Sequence, residues 1–161
     1  MTSRRRVGLI ALGAAAIGLL GERAGAAPSD EGDEQALAAD ADYAAGLAAL
    51  KANAYPQALP HFQKALKRFP DAASLHNELG YTFRKLGRLA PAFEHYKRAL
   101  AIDPRHRGAH EYIGEAYLLS GDVASAEKHL EALRSICTLP CEEMRDLQAA
   151  IDTHRRKAPA R

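Results

Sequence analysis

Cys137 and Cys141 are the only cysteines in the 161-residue chain, set in a C-x-x-x-C spacing. In an oxidising compartment such a pair closes a disulfide, and a loop this short gains ~2 kcal/mol from it. As free thiols they would form a redox pair or part of a metal site. Cys141 stands at the expected start of a helix, where a thiol pKa is lowered, but two sulfurs alone do not complete a zinc site. Seven histidines are the other ligand-type residues. His106 and His110 fall one helical turn apart, whereas His61, His95 and His129, and again His76 and His110, recur every 34 residues. Residues at such an interval occupy successive copies of one unit, about one helix diameter or ~10 Å apart, too far to share an ion, so no metal site is expected. A row of histidines could instead make partner affinity sensitive between about pH 5 and 8. The chain has no G-x-S-x-G elbow, glycine-rich phosphate loop or H-E-x-x-H, and its carboxylates are scattered. No catalytic residue and no cofactor is expected, and the chain does not read as an enzyme.

The compartment follows from the first 26 residues. Arg4, Arg5 and Arg6 precede an apolar run of 14 residues, Val7 to Leu20, and Ala24-Gly25-Ala26 offers small residues for cleavage. That is the pattern of a signal peptide over 1–26, with the run too short for the roughly 20 residues of a membrane span. Export to the periplasm or outside is expected, with no stable membrane anchor after cleavage. The general secretion route fits, and the paired arginines leave the twin-arginine route open. Cleavage removes four basic residues and one acidic residue, so the chain's net charge of +2 becomes −1. So balanced a charge gives no basic stripe for a nucleic-acid partner. Residues 27–38 read as an acidic flexible linker and 155–161 as a basic flexible tail.

The elements that must position any site are set by self-similarity. Gly46, Gly80 and Gly114 are 34 residues apart, and so are Ala58, Ala92 and Ala126. Three units follow, 39–72, 73–106 and 107–140, each with helical apolar spacing on either side of a break. Gly87 and Gly121 mark that break in units two and three, and Asn53 takes the place in unit one; these residues end a helix readily in the left-handed conformation. Leu79-Gly80, Phe83, Gly87, Ala92, Tyr96, Ala99 and Pro104 of unit two carry a resemblance to the tetratricopeptide repeat family that extends over about two-thirds of the chain. The resemblance implies an all-α solenoid of three helix-turn-helix units, as in small exported bacterial members. Unit one departs from the pattern at Ala45 and Ala49, and Pro60 inside its second helix predicts a kink or an irregular helix. Residues 141–154, with Met144, Leu147 and Ile151 on one face, predict a capping helix that covers the apolar end of the stack.

The resemblance also implies a concave groove lined by the first helix of each unit. Carried onto this sequence, the groove residues are Tyr43 and Leu47 from unit one, Asn77, Glu78, Tyr81 and Arg84 from unit two, and Glu111, Tyr112 and Glu115 from unit three. The clamp by which some members hold a chaperone's C-terminal carboxylate is not expected, because Tyr43, Leu47, Glu78, Gly108 and Tyr112 stand where its Lys, Asn and Arg residues would be. The expected function is that of a scaffold or adaptor holding a peptide segment of an envelope protein by aromatic contact and hydrogen bonds. The alternative is a thiol-redox or copper-handling accessory in cytochrome or metalloprotein assembly, acting through Cys137 and Cys141. Self-association through the exposed face of unit one is a further option.

Overall fold

The computed structural model describes residues 30–157, which form eight α-helices and, within that range, no strand. The signal peptide expected over 1–26 and the last four residues, 158–161, lie outside the described residues. After α1 (Asp30–Ala38), six helices form three pairs: α2 (Ala41–Lys51) with α3 (Tyr55–Leu66), α4 (Ala73–Lys85) with α5 (Leu89–Ile102), and α6 (Arg107–Leu119) with α7 (Val123–Ile136). α8 (Glu142–Lys157) packs on α6 and α7 and closes the stack. The chain is therefore an α-solenoid of three helix-turn-helix units with a capping helix. Among the described residues, no helix is long and apolar enough to cross a membrane.

Each pair turns by the same local chemistry. Asn53, Gly87 and Gly121 have φ of 55°, 73° and 81°, the left-handed region that favours glycine and asparagine. The amide one residue further on reaches back across the helix end: Ala54 N–H donates to the Ala49 carbonyl at 2.8 Å, Arg88 to Phe83 at 2.9 Å and Asp122 to Tyr117 at 2.9 Å. The repeated turn brings the two helices of a pair together, and small residues lie where they cross. Ala58, Ala92 and Ala126 are wholly buried. A Cβ on Gly46 would run into the Phe62 ring, and one on Gly80 would lie 2.5 Å from the Tyr96 ring. Gly114 breaks the series, because the side chain above it is Leu147 of α8, 2.7 Å from such a Cβ, rather than a residue of α7. The cap is thereby keyed into the last unit.

A second contact recurs inside every unit, between the fourth residue and the twenty-third. In unit one His61 Nδ1 lies 3.2 Å from Asp42, in unit two the Nδ1 atoms of His76 and His95 are 3.0 Å apart, and in unit three those of His110 and His129 are 2.9 Å apart. His76 Nε2 and His110 Nε2 donate to the carbonyls of Pro70 and Pro104. Their Nδ1 atoms must then accept, so His95 and His129 are the donors. The histidine rows expected from the 34-residue interval thus resolve into pairs within units. His106 stands apart from them and caps α6, its Nδ1 accepting from Ala109 N–H at 3.1 Å.

Three expectations are corrected. Residues 30–38 are not linker but helix, seated by Leu37, which is only 1% exposed. Arg155, Arg156 and Lys157 are not flexible tail but the last turn of α8, where cations face the unsatisfied carbonyls. Pro60 leaves α3 a single helix, because it lies on the exposed face and removes only the bond to the Pro56 carbonyl.

Gly80→Ala must push the Tyr96 ring off its seat, and overpacking of this kind costs ~1–3 kcal/mol. Urea denaturation should show a lower midpoint for Gly80→Ala, whereas Gly32→Ala, whose added methyl meets nothing within 4 Å, should not lower it.

Candidate binding groove

α2, α4 and α6 stand side by side as the inner layer, and the expected groove residues divide along it by environment. On α2, Tyr43 and Leu47 are half-buried against the main core, and the Tyr43 ring meets Phe62 at 5.9 Å between centroids. Burial, with Glu78 and Glu34 nearby, holds the Tyr43 hydroxyl firmly protonated. On α4, Asn77 is buried, its Nδ2 donating to Glu78 Oε1 at 3.4 Å and its Oδ1 without a partner among the described residues. An acceptor left in that state costs ~1–3 kcal/mol.

The centre is a single cluster bridging α4 and α6. The rings of Tyr81 and Tyr112 are 5.0 Å apart, and Tyr55 of α3 meets Tyr81 edge-on at 6.3 Å. The Arg84 guanidinium lies 5.3 Å from the Tyr81 ring centre and 5.4 Å from that of Tyr112, as a cation–π pair requires. It also meets Glu115 at 2.6 Å and donates through Nε to the Tyr96 hydroxyl at 3.3 Å. The Arg84 side chain is only 9% exposed and already paired, so it braces the groove floor and is not a free hook for an anion. Glu111, one helical turn from Glu115, is buried with no salt-bridge partner among the described residues and faces α8, where Asp146 and Glu143 lie close.

Beyond the cluster, the inner face opens into a cavity of about 520 Å³. Lys85 and the apolar Leu118 and Leu119 form one wall, and Ala149, Ala150, Thr153, His154 and Lys157 of α8 form the other. Sequence reasoning gave α8 only the role of a cap and missed this second face. Its small residues Ala149 and Ala150, beside the buried Leu147 and Ile151, were the available signal. At the outer corner, Cys137 ends α7 and Cys141 precedes α8; their sulfurs are at bonding distance and their Cα atoms 6.0 Å apart. Among the described residues, no group of three or more His, Cys, Asp or Glu side chains is placed to hold a metal ion.

Buried ionisable groups make the fold pH-sensitive in two opposed ways. Burial raises Glu78 to about 7, and burial with Glu115, Asp146 and Glu143 raises Glu111 to about 8. A carboxylate raised in the folded state gives stability that is complete below its unfolded value of 4.5 and is lost as pH rises through 7 to 8. Burial and the neighbouring imidazole lower His95 and His129 to about 4, so their contribution is lost as pH falls from 6.5 towards 4. The two effects oppose each other over the lower range, and above pH 6.5 only the carboxylates act. Stability should therefore decline from pH 6.5 to 8, and Glu111→Gln, which keeps the neutral shape, should remove at least about half of that decline in urea titrations.

Two sequence profiles described as tetratricopeptide repeat match residues 43–107 and 83–151. No curated protein sequence matches the chain. Among solved structures, the TPR2B domain of yeast Sti1 in its pHsp70 complex superposes with a TM-score of 0.66 at 17% identity, over 78% of this chain and 98% of that one. The Yersinia enterocolitica type III secretion chaperone SycD, in complex with a peptide of the translocator YopD, gives 0.65 at 17% identity, over 80% and 98%. The first TPR of Spaghetti (RPAP3), bound to an HSP90 peptide, gives 0.62 at 18% identity, over 77% and 94%. At these identities the likeness establishes the fold alone. Three helix pairs at a 34-residue period, small residues at every crossing and both profile matches together place this chain in the tetratricopeptide repeat family.

Proposed function

We propose that this protein is a non-catalytic scaffold of the cell envelope that holds a segment of a partner protein along α2, α4 and α6. The observation that carries this reading is the continuous inner surface that runs from the Tyr81–Arg84–Tyr112 cluster into the cavity bounded by α8. Such a surface suits a chain segment better than a small molecule: aromatic faces and exposed Leu119 supply apolar contact, and Lys85 and Lys157 rim it. Peptide complexes of structural neighbours, such as SycD with a YopD peptide, support a peptide-holding role. The arginine-led apolar leader and the small residues at Ala24-Gly25-Ala26 support a periplasmic location for the mature protein. In that oxidising setting the Cys137–Cys141 pair acts as a structural disulfide, holding α8 against α7 so that the cavity keeps its second wall.

Site-specific photo-cross-linking in intact envelopes tests the reading. A photoreactive residue at position 119 should cross-link one envelope protein, and the same residue at position 97, on outer helix α5, should not. Tyr81→Ala with Tyr112→Ala should lower the yield at least about fivefold while circular dichroism stays helical, in line with the weight of aromatic anchors at interfaces. Equal cross-linking from positions 97 and 119, or a yield indifferent to the tyrosines, would sink the groove reading.

A further inference from the structure

α1 has no counterpart in the repeat, and its position is unlike that of a helix extending the stack. A helix added before unit one would meet only that unit, yet α1 packs on both α2 and α4, the first helices of units one and two. It gets there through a tight reversal, in which the amides of Ala39 and Asp40 donate to the carbonyls of Ala36 and Leu37. α1 therefore lies across the inner layer, on the same face as the groove.

Its contacts there are those of a ligand. Glu34 Oε1 accepts from the backbone N–H of Ser74 at 3.0 Å, in the first turn of α4. The neighbouring inner helices cap themselves through Asp40 and His106, whereas α4 starts from Ala72 with no side-chain cap of its own. Glu34 thus supplies from another element the negative charge that an open helix N-terminus favours. Three residues on, Leu37 is buried in the core cluster against which Tyr43 and Leu47 pack. Asn77, one turn along α4 from Ser74, keeps an unpartnered Oδ1, so α1 does not use every polar group of the floor. The helix is also easily released: nine residues are too few to be stable alone, Gly32 weakens it further, and among its described side chains only Leu37 is buried.

We propose that α1 is a resident occupant of the N-terminal half of the groove, and that the partner segment which displaces it is a short helix with the same chemistry, a carboxylate one turn ahead of a leucine. Glu34 and Leu37 are the template: the carboxylate docks on the first amides of α4 and the leucine fills the recess beside Tyr43 and Leu47. The proposal rests on the groove reading above and adds to it both the class of partner and a built-in competitor that sets a threshold for binding.

The test uses the full chain with a fluorescent synthetic peptide of residues 30–39 as the probe. In Leu37→Asp, the amides of residues 33–38 should lose hydrogen-exchange protection at least tenfold while those of α4 to α7 keep theirs. The peptide should then bind this variant at least tenfold more tightly than the wild type, shifting the amide resonances of Tyr43 and Ser74. Gly32→Ala, whose methyl has free space, should act in the opposite direction, with a better protected α1 and weaker peptide binding. Unchanged protection of α1 in Leu37→Asp, equal peptide affinity for variant and wild type, or no binding to the opened variant would each overturn the proposal. If any of these occurs while position 119 still cross-links in a tyrosine-dependent way, the groove reading stands and only the resident occupant falls.

Discussion

Everything in this molecule follows from how closely the two helices of a unit cross. Gly46 beneath Phe62 and Gly80 beneath Tyr96 let a ring of one helix lie on the backbone of the other, and Ala58, Ala92 and Ala126 complete the contact from the facing side. A side chain of ordinary size at any of these places would open the angle between helices. Because each unit repeats the angle, the stack curves the same way at each step, and α2, α4 and α6 end on one face. The groove is thus a consequence of small residues far from its surface.

The chemistry of that face differs from what its curvature alone would give. Its one central cation, Arg84, is enclosed by Tyr81, Tyr112, Tyr96 and Glu115, so its charge is spent within the protein. Two carboxylates, Glu78 and Glu111, are held in poorly solvated positions that raise them to about 7 and 8. A groove floored in this way has little to offer an isolated carboxylate at its centre. The place where a carboxylate does dock is the open N-terminus of α4, where Glu34 sits now. Direction along the inner layer therefore matters: a carboxylate docks at the N-terminus of α4, while Lys85, His154 and Lys157 gather at the other end around the α8 cavity.

How much of this was legible in the sequence depended on whether the signal repeated. The 34-residue interval of Gly46, Gly80 and Gly114 was enough to place six helices, and Asn53, Gly87 and Gly121 gave the turns, because each statement was made three times over. Tyr81, Arg84, Tyr112 and Glu115 lie together across α4 and α6. Features that occur once were lost. Among the described side chains of α1 only Leu37 is buried, and its acidity reads as solvated linker until a helix dipole is there to receive Glu34. The second wall given by α8 depends on Leu147 entering the space above Gly114, a tertiary choice that spacing does not reveal. The histidines misled for a different reason: comparing equal positions between units hid the contact between unequal positions within one, where His76 meets His95 and His110 meets His129.

The central claim is that the inner layer, and not the outer one, is where a partner is held. Hydrogen–deuterium exchange on the mature protein, free and then captured with its partner from native envelopes, tests this most directly. The account predicts that protection on binding is gained along α2, α4, α6 and the C-terminal half of α8, while α3, α5 and α7 exchange as before. Protection gained chiefly on α3, α5 and α7 would contradict it.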